Sequence, residues 1–289
     1  MLPTRNHPEY LAYTLTSLAR QDPSGVVYEV IVIDDGSEPP ATAPPWARLI
    51  RHERSRGLNA ARNAGIGAAQ FDVIWFLDDD VELPSNWLIA LAAATSRHPN
   101  AFCFVGPIEI ANDGKPYRQC RSCQDRTSES LKISEEAETQ RYAWGANFGV
   151  RRSAFDLVGR FDEAQPIYYD EIEWQDRLRA AGKLTVSLPT VWLWHRRPVE
   201  ERRLRSRLRR RLRRGWGQGY YTRSRGEPIQ RGARVRGIAR GVNHAIRLRC
   251  EGGILDAAAE LGTLAASFSS APFFPSQEPG EQQTDVLSE

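Results

Sequence analysis

Apolar positions along this chain switch between two rhythms, and the switching predicts a layered α/β protein. Tyr28 to Ile33, Asp72 to Leu77 and Ala101 to Val105 are short, mostly apolar runs. Runs of that length, rich in β-branched and aromatic residues, read as strands buried on both faces, the pattern of a parallel sheet. Between them the period lengthens. Leu11, Leu15 and Leu18 stand at helical spacing within residues 8–20, and Pro8 suits the first turn. Gly57 to Ala69 is rich in small residues and helical, and Pro84 opens a helix reaching about Arg97. Leu49-Ile50 begins a further short strand after a loop holding Pro39, Pro40, Pro44 and Pro45. A helix is predicted from about Asp170 to Ala181, ended by Gly182, and Thr185 to Trp194 is extended. This alternation implies a mostly parallel sheet with helices on both faces.

The remaining segments break the rhythm. Residues 111–141 are polar and charged without periodicity, which suggests a long loop region beside a functional site, with disorder as the competing reading. Ordered structure restarts at Trp144-Gly145-Ala146-Asn147-Phe148-Gly149-Val150. Beyond Ser269 the chain is polar, acidic and proline-containing, the composition of a disordered tail.

The most informative polar feature is Asp78-Asp79-Asp80, directly after the strand ending at Leu77. Ligands of open α/β sheets bind beyond the carboxyl ends of the strands. Three carboxylates crowded there repel one another unless a cation neutralises them, and hard oxygen donors suit Mg²⁺ or Mn²⁺. The alternative is a solvated acidic turn capping the next helix. No GxGxxG follows the early strand, which argues against a dinucleotide-binding oxidoreductase.

Composition sets outer bounds. At 289 residues the chain can hold one large α/β domain, or a domain with an appendage. No apolar run resembles a secretory signal or a membrane span, so a cytoplasmic enzyme is the default expectation. Of four cysteines, Cys103 sits in an apolar run and reads as core. Cys120-Arg-Ser-Cys123 is a single CxxC with no second pair and no well-spaced histidines. It reads first as free thiols, then as a redox or disulfide pair, and only weakly as a zinc site.

In order along residues 2–195 stand Pro3-Thr4-Arg5-Asn6, Val32-Ile33-Asp34-Asp35-Gly36-Ser37, Gly57-Leu58-Asn59-Ala60-Ala61-Arg62-Asn63-Ala64-Gly65, Asp78-Asp79-Asp80, Trp144-Gly145-Ala146-Asn147 and Asp170-Glu171. This ordered set resembles the inverting, GT-A-fold glycosyltransferases of family 2. The resemblance implies a GT-A domain over residues 1–195, a Rossmann-like mostly parallel sheet with flanking helices. Its nucleotide-binding part would span about 1–110 and its acceptor-side part about 111–195. A basic helical region (196–268) and a tail (269–289) would follow. Relatives begin with an apolar strand before Pro-Thr-x-Asn, of which only Met1 and Leu2 are present here. Either that strand is very short or the natural start lies upstream.

The resemblance implies a metal-dependent transfer from a nucleotide-diphosphate sugar, most often UDP-linked, to a hydroxyl acceptor such as a glycan or lipid-linked glycan. Thr4, Arg5 and Asp35 would line the nucleoside pocket, where carboxylates accept from base N–H or ribose hydroxyl groups. Arg62 would lie near the nucleotide, able to fork onto phosphate or stack on the base, unless it is a surface helix arginine. Asp34 could instead merely close the turn with Gly36 and Ser37. Asp78 and Asp80 match the DxD signature, with Asp78 expected near the ribose and Asp80 on the Mn²⁺ or Mg²⁺. Asp79, grouped with the donor-binding residues, would contact the metal through water or face solvent. Asn147 and Gly145 resemble the stretch facing the donor sugar, or a structural turn. Trp144 and Trp174 could stack on a sugar or serve as core. His195 would be a second metal ligand, a site that some relatives fill after the base, or a packing residue.

Inverting transfer needs one general base. Asp170 and Glu173 stand at capping-box spacing, which leaves Glu171 free to project and makes it the chosen base, with Asp170 the other candidate. The helix N-terminus should favour ionised Glu171. Relatives usually have Glu-Asp here, whereas this chain has Asp-Glu, and the extra methylene moves the carboxylate. A non-catalytic sugar-nucleotide or glycan-binding domain is the alternative to an enzyme.

Between Arg196 and Arg214 stand eleven arginines against two acids, Glu200 and Glu201. Leu204, Leu208 and Leu212 recur every four residues, so one apolar stripe runs along a basic helix. The segment reads as a helix packed on the catalytic domain, or as a contact to anionic membrane lipid or a lipid-diphosphate acceptor. Nucleic-acid binding comes third, because no recognised fold accompanies the charge.

Overall fold

The computed structural model describes residues 1–111, 120, 123, 131, 133, 139–165, 169–196 and 203–269. Most of the polar segment 111–141, the acids Glu200 and Glu201 and the tail after residue 269 lie outside them. The strands are β1 (Leu2–Thr4), β2 (Val30–Asp34), β3 (Ala47–Arg51), β4 (Val73–Leu77), β5 (Val81–Glu82), β6 (Cys103–Val105), β7 (Ile108–Ala111), β8 (Thr139–Gln140), β9 (Asn147–Arg151), β10 (Thr185–Ser187) and β11 (Leu193–Arg196). The helices are α1 (Pro8–Ala19), α2 (Leu58–Ala68), α3 (Trp87–Ser96), α4 (Arg152–Val158), α5 (Asp170–Ala180), α6 (Leu204–Ser224), α7 (Arg231–Leu248) and α8 (Glu251–Ala266).

β1, β2 and β3 pair in parallel. The Met1 amine donates to Trp75 O at 2.8 Å and Leu77 N to Met1 O at 3.0 Å, which joins β1 to β4 in parallel register. β9 lies antiparallel between β4 and β6, β10 runs parallel to β6, and β8 closes the edge antiparallel. The sheet therefore reads β3-β2-β1-β4-β9-β6-β10-β8, with only β9 and β8 reversed. β1 sits between β2 and β4, inside the sheet.

Period-two geometry sends successive strand residues to opposite faces. Val30, Val32, Trp75 and Leu77 pack with Leu11, Leu15 and Leu18 of α1 and Trp87 of α3. Their neighbours Ile31 and Ile33 pack with Ala61 of α2, and Ile74 and Phe76 with Phe148, Phe155, Phe161 and Trp174. Both faces of β2 and β4 are buried, which explains their lack of polar alternation.

The C-terminal region folds as three helices. A Cβ on Gly215 would stand 1.9 Å from Ala259 O, and one on Gly262 2.1 Å from Leu212 O, so α6 and α8 touch backbone to backbone. The leucine stripe is not an outward face: Leu204 is exposed, but Leu208 and Leu212 are partly buried. Arg207 is buried and bonded to Glu251 of α8. α6 is anchored to α5, where Asp176 accepts from Tyr221 and, at 3.1 Å, from Arg225. No helix among the described residues is long and apolar enough to cross a membrane.

Candidate active site

The triple aspartate forms a tight turn between β4 and β5, and a threonine on α1 fixes it. Thr14 Oγ1 lies 2.7 Å from both Asp79 O and Val81 O and accepts from Val81 N at 3.0 Å. The middle carboxylate turns inward. Asp79 is buried and accepts from Thr4 Oγ1 at 2.6 Å, with His7 Nδ1 at 3.5 Å. The expectation that it would face solvent or the metal is corrected: Asp79 and Thr4 tie the ends of β4 and β1 together.

The flanking acids project together. β11 runs antiparallel to β5, placing His195 opposite Val81, and Arg196 N donates to Asp80 O at 2.8 Å. That register brings His195 Nε2 to 3.4 Å from Asp78 and 3.3 Å from Asp80. All three ligand atoms lie within 4.8 Å of one another. Two carboxylates and an imidazole form a hard-to-borderline donor set that fits Mn²⁺ and, less well, Mg²⁺. β5, β11 and β7 form a small separate sheet whose pairing exists at this corner.

A second acidic centre surrounds Arg62 on α2. Its side chain is buried, with the guanidinium carbon 5.8 Å from the Phe148 ring centroid and 5.5 Å from that of Phe161. It donates to Asn59 Oδ1 at 3.0 Å and to Asp170. Burial alone would lower its pKa, but the fields of Asp170, Glu171 and Asp78 together raise it, so the guanidinium stays charged. Arg62 is neither a surface arginine nor free to fork onto phosphate. It holds the acids in place.

Asp170 is not a helix cap. Tyr169 occupies the N-cap position, no side chain caps the helix, and Glu173 pairs with Arg177 at 2.7 Å. With Asp170 engaged, Glu171 is the less committed acid, half-buried beside Gly145. A Cβ at Gly145 would approach Arg62 Nη2 to 2.6 Å and Glu171 Oε1 to 3.8 Å. Burial, then the Asp170 charge, pushes the Glu171 carboxyl up to about 8, outweighing the helix N-terminus.

The nucleoside side is more closed than the sequence suggests. Asp34 accepts from Ser37 N at 2.8 Å, Ala41 N at 3.0 Å and Arg51, so it closes its turn. Asp35 accepts from Ser55 Oγ at 2.7 Å and from Arg56 N and Gly57 N, each at 2.9 Å, and meets His52 Nδ1 at 2.7 Å. Those four partners fill a carboxylate's capacity, so a base or ribose reaches Asp35 only by replacing one. Arg5, partly exposed, follows Thr4 at the end of β1. Asn147 is wholly buried: it accepts from Trp75 Nε1 at 2.9 Å and donates to Pro107 O at 2.9 Å and Val191 O at 2.8 Å. It braces the sheet beneath the site rather than facing a sugar. Trp174 is core, its indole N–H on Gly159 O at 2.8 Å, while Trp144 is partly buried.

Residues 1–159 match the family model described as glycosyl transferase family 2. The chain belongs to that family. A pre-mycofactocin glycosyltransferase of Mycobacterium tuberculosis is 30% identical over 56% of this chain and 35% of its own length. An N-acetylglucosaminyl-diphospho-decaprenol L-rhamnosyltransferase of the same species is 27% identical over 62% of this chain and 68% of its own. The chain thus spans about a third of the first relative. In structure, it is similar to a mannosyltransferase from Pyrobaculum calidifontis in complex with GDP-Man and Mn²⁺, at TM-score 0.55 and 18% identity, over 92% of this chain and 72% of that one. That likeness shows a shared GT-A fold.

Within this family 2 domain, three supporting residues escaped sequence reading. Thr14 left a trace, since it occupies the i+3 slot of the Leu11–Leu15–Leu18 stripe and is fully buried. His52 and Ser55 left none, because they meet Asp35 only through the fold.

Proposed function

We propose that this family 2 chain transfers a sugar, with inversion, from a nucleotide-diphosphate sugar to a hydroxyl acceptor. The observation supporting it is the gathering of Asp78, Glu171 and Asp170 around buried Arg62, with Asp80 and His195 beside Asp78. Asp78, Asp80 and His195 would hold Mn²⁺ or Mg²⁺, which supplies positive charge to the departing diphosphate. Glu171 acts as general base on the acceptor hydroxyl. A carboxylate with raised pKa is a stronger proton acceptor, provided it is ionised when the acceptor arrives. Arg62 and Asp170 fix its position, and Asn59 Nδ2 adds a bond to Asp170 O at 3.2 Å. Thr4, Arg5 and Asp35 shape the nucleoside end, with UDP the favoured nucleotide.

The acceptor is best read as an anionic or lipid-linked glycan. Arg214 lies close enough to temper the rise that burial imposes on the Tyr169 phenol, so the arginine helix stands beside the residue preceding the acid pair. One relative carries a lipid diphosphate in its name, which fits an arginine-lined approach. The exposed apolar face suited to an anionic membrane lies on α7, at Val235, Val242 and Ile246.

The test is donor turnover. UDP-, GDP- and dTDP-sugars are screened for Mn²⁺-dependent thermal stabilisation, and hits are assayed for transfer with the product anomer read by NMR. Transfer with inverted configuration supports the proposal. Stabilisation without transfer or donor hydrolysis would favour a binding domain, and a retained anomer would overturn the base assignment.

A further inference from the structure

A second cluster of ligand-type side chains lies away from the aspartates. Cys120 and Cys123, His244 near the end of α7, and Cys250 at the start of α8 bring three sulfurs and one nitrogen within 4.8 Å of one another. His244 Nε2 is 3.2 Å from both Cys120 Sγ and Cys123 Sγ. Cys123 N donates to Cys120 O at 2.9 Å, forming a tight turn, and Cys120 N donates to Cys250 Sγ at 3.2 Å. None of these cysteines is in a disulfide.

The backbone is shaped around the cluster. Arg249 adopts φ 46° at the α7–α8 corner, a left-handed turn that returns Cys250 towards His244. A Cβ at Gly252 would stand 2.7 Å from Cys123 Sγ and 3.4 Å from Cys250 Sγ, so glycine leaves room for the sulfurs. Free thiols packed in a core need no such convergence.

We propose that Cys120, Cys123, His244 and Cys250 bind a structural zinc ion. Three thiolates and an imidazole form a soft donor set that selects zinc, unlike the carboxylate-rich cluster at Asp78. A tetrahedral zinc about 2.3 Å from sulfur and about 2.0 Å from nitrogen spaces its ligands roughly 3.5–3.8 Å apart. The two His244–sulfur distances of 3.2 Å lie just under that spacing. Four protein ligands leave no open position, as in structural zinc sites. The ion would pin the segment carrying Cys120 and Cys123 to the α7–α8 corner, clamping the C-terminal helices onto the catalytic domain. Binding requires release of thiol protons and no redox partner.

The full chain is purified under reducing conditions without added metal and its metals counted by elemental analysis. About one zinc per chain is expected, released by a thiol-reactive mercurial. Cobalt substitution should give sulfur-to-cobalt charge-transfer absorption and the visible bands of a tetrahedral site. Asp80→Asn should keep the zinc, whereas Cys123→Ser and His244→Ala should lose it. If those variants do not fold, the cobalt spectrum of the native chain still decides. A zinc-free protein that gives no thiolate–cobalt band, or a native chain with Cys120 and Cys123 joined as a disulfide, would overturn the proposal.

Discussion

The guanidinium of Arg62 grips the carboxylate of Asp170 inside the protein, with both side chains almost fully removed from solvent. This pair separates the two neighbouring acids, engaging Asp170 and leaving Glu171 the less committed. Breaking a buried pair by removing one partner strands the other charge, at a typical cost of about 3–5 kcal/mol. Arg62→Met should lower stability by that order in urea unfolding, and Asp170→Asn by less, since an amide can still accept from Arg62. Unchanged stability in Arg62→Met would mean that Asp170 is satisfied some other way.

Glu171 carries the clearest pH signature. Its carboxyl is raised from 4.5 to about 8 by burial and by Asp170. The folded state therefore holds this proton more tightly than the unfolded chain. The resulting stabilisation is complete below 4.5 and is lost as pH rises through about 8. A base must be ionised, so transfer should increase as pH climbs through the same range. Glu171→Gln should lower the rate about 10²–10⁴-fold while preserving donor affinity, and should flatten the fall in stability with pH. If Asp170→Asn loses the rate with normal folding and Glu171→Gln does not, the assignment is reversed.

Asp79 and Asp80 should separate cleanly despite their adjacency. Asp80→Asn removes a charge from the proposed metal site and should abolish both transfer and Mn²⁺-dependent donor binding. Asp79→Asn loses charge from the bond to Thr4 and should act chiefly through stability, by about 1–3 kcal/mol. His195→Ala should shift the metal requirement upward or change the preferred ion. Isothermal titration with Mn²⁺ distinguishes these outcomes, and near-normal turnover in Asp80→Asn would remove it from the site.

What the sequence made legible was what short-range pattern controls. Val30 to Ile33 and Val73 to Leu77 are strand because they are apolar throughout, and the aspartates that follow each fall at strand ends. What pattern cannot report is which neighbour consumes a polar group. The family resemblance points Asp35, Arg62 and Asn147 at the donor, yet each has partners far away in sequence, from His52 and Ser55 to Asp170, Pro107 and Val191. The capping-box spacing of Asp170 and Glu173 is real but unused: Asp170 accepts from buried Arg62, and the Glu173 N–H donates to Tyr169 O at 3.3 Å. The CxxC looked isolated for the same reason, since His244 and Cys250 join it only when α7 and α8 fold back.

In the basic C-terminal region the exposed apolar face lies on α7 and not along the leucine stripe of α6. Arg207 is buried against Glu251, so charge on α6 is partly structural. On α7, Val235, Val242 and Ile246 are 54%, 36% and 72% exposed and stand at i, i+7 and i+11, one face of a helix. Arg236, Arg240 and Arg247 are exposed along one flank of that face. Side chains so placed can insert apolar groups at a membrane surface while the arginines reach anionic headgroups, each worth about 1 kcal/mol there. The protein should sediment with anionic vesicles, remain free of neutral ones, and dissociate in high salt. Val242→Glu with Ile246→Glu should weaken that binding while leaving donor binding intact, because neither residue touches the catalytic corner. Equal indifference to both vesicle types would leave α7 as a solvated helix and the acceptor as a soluble glycan.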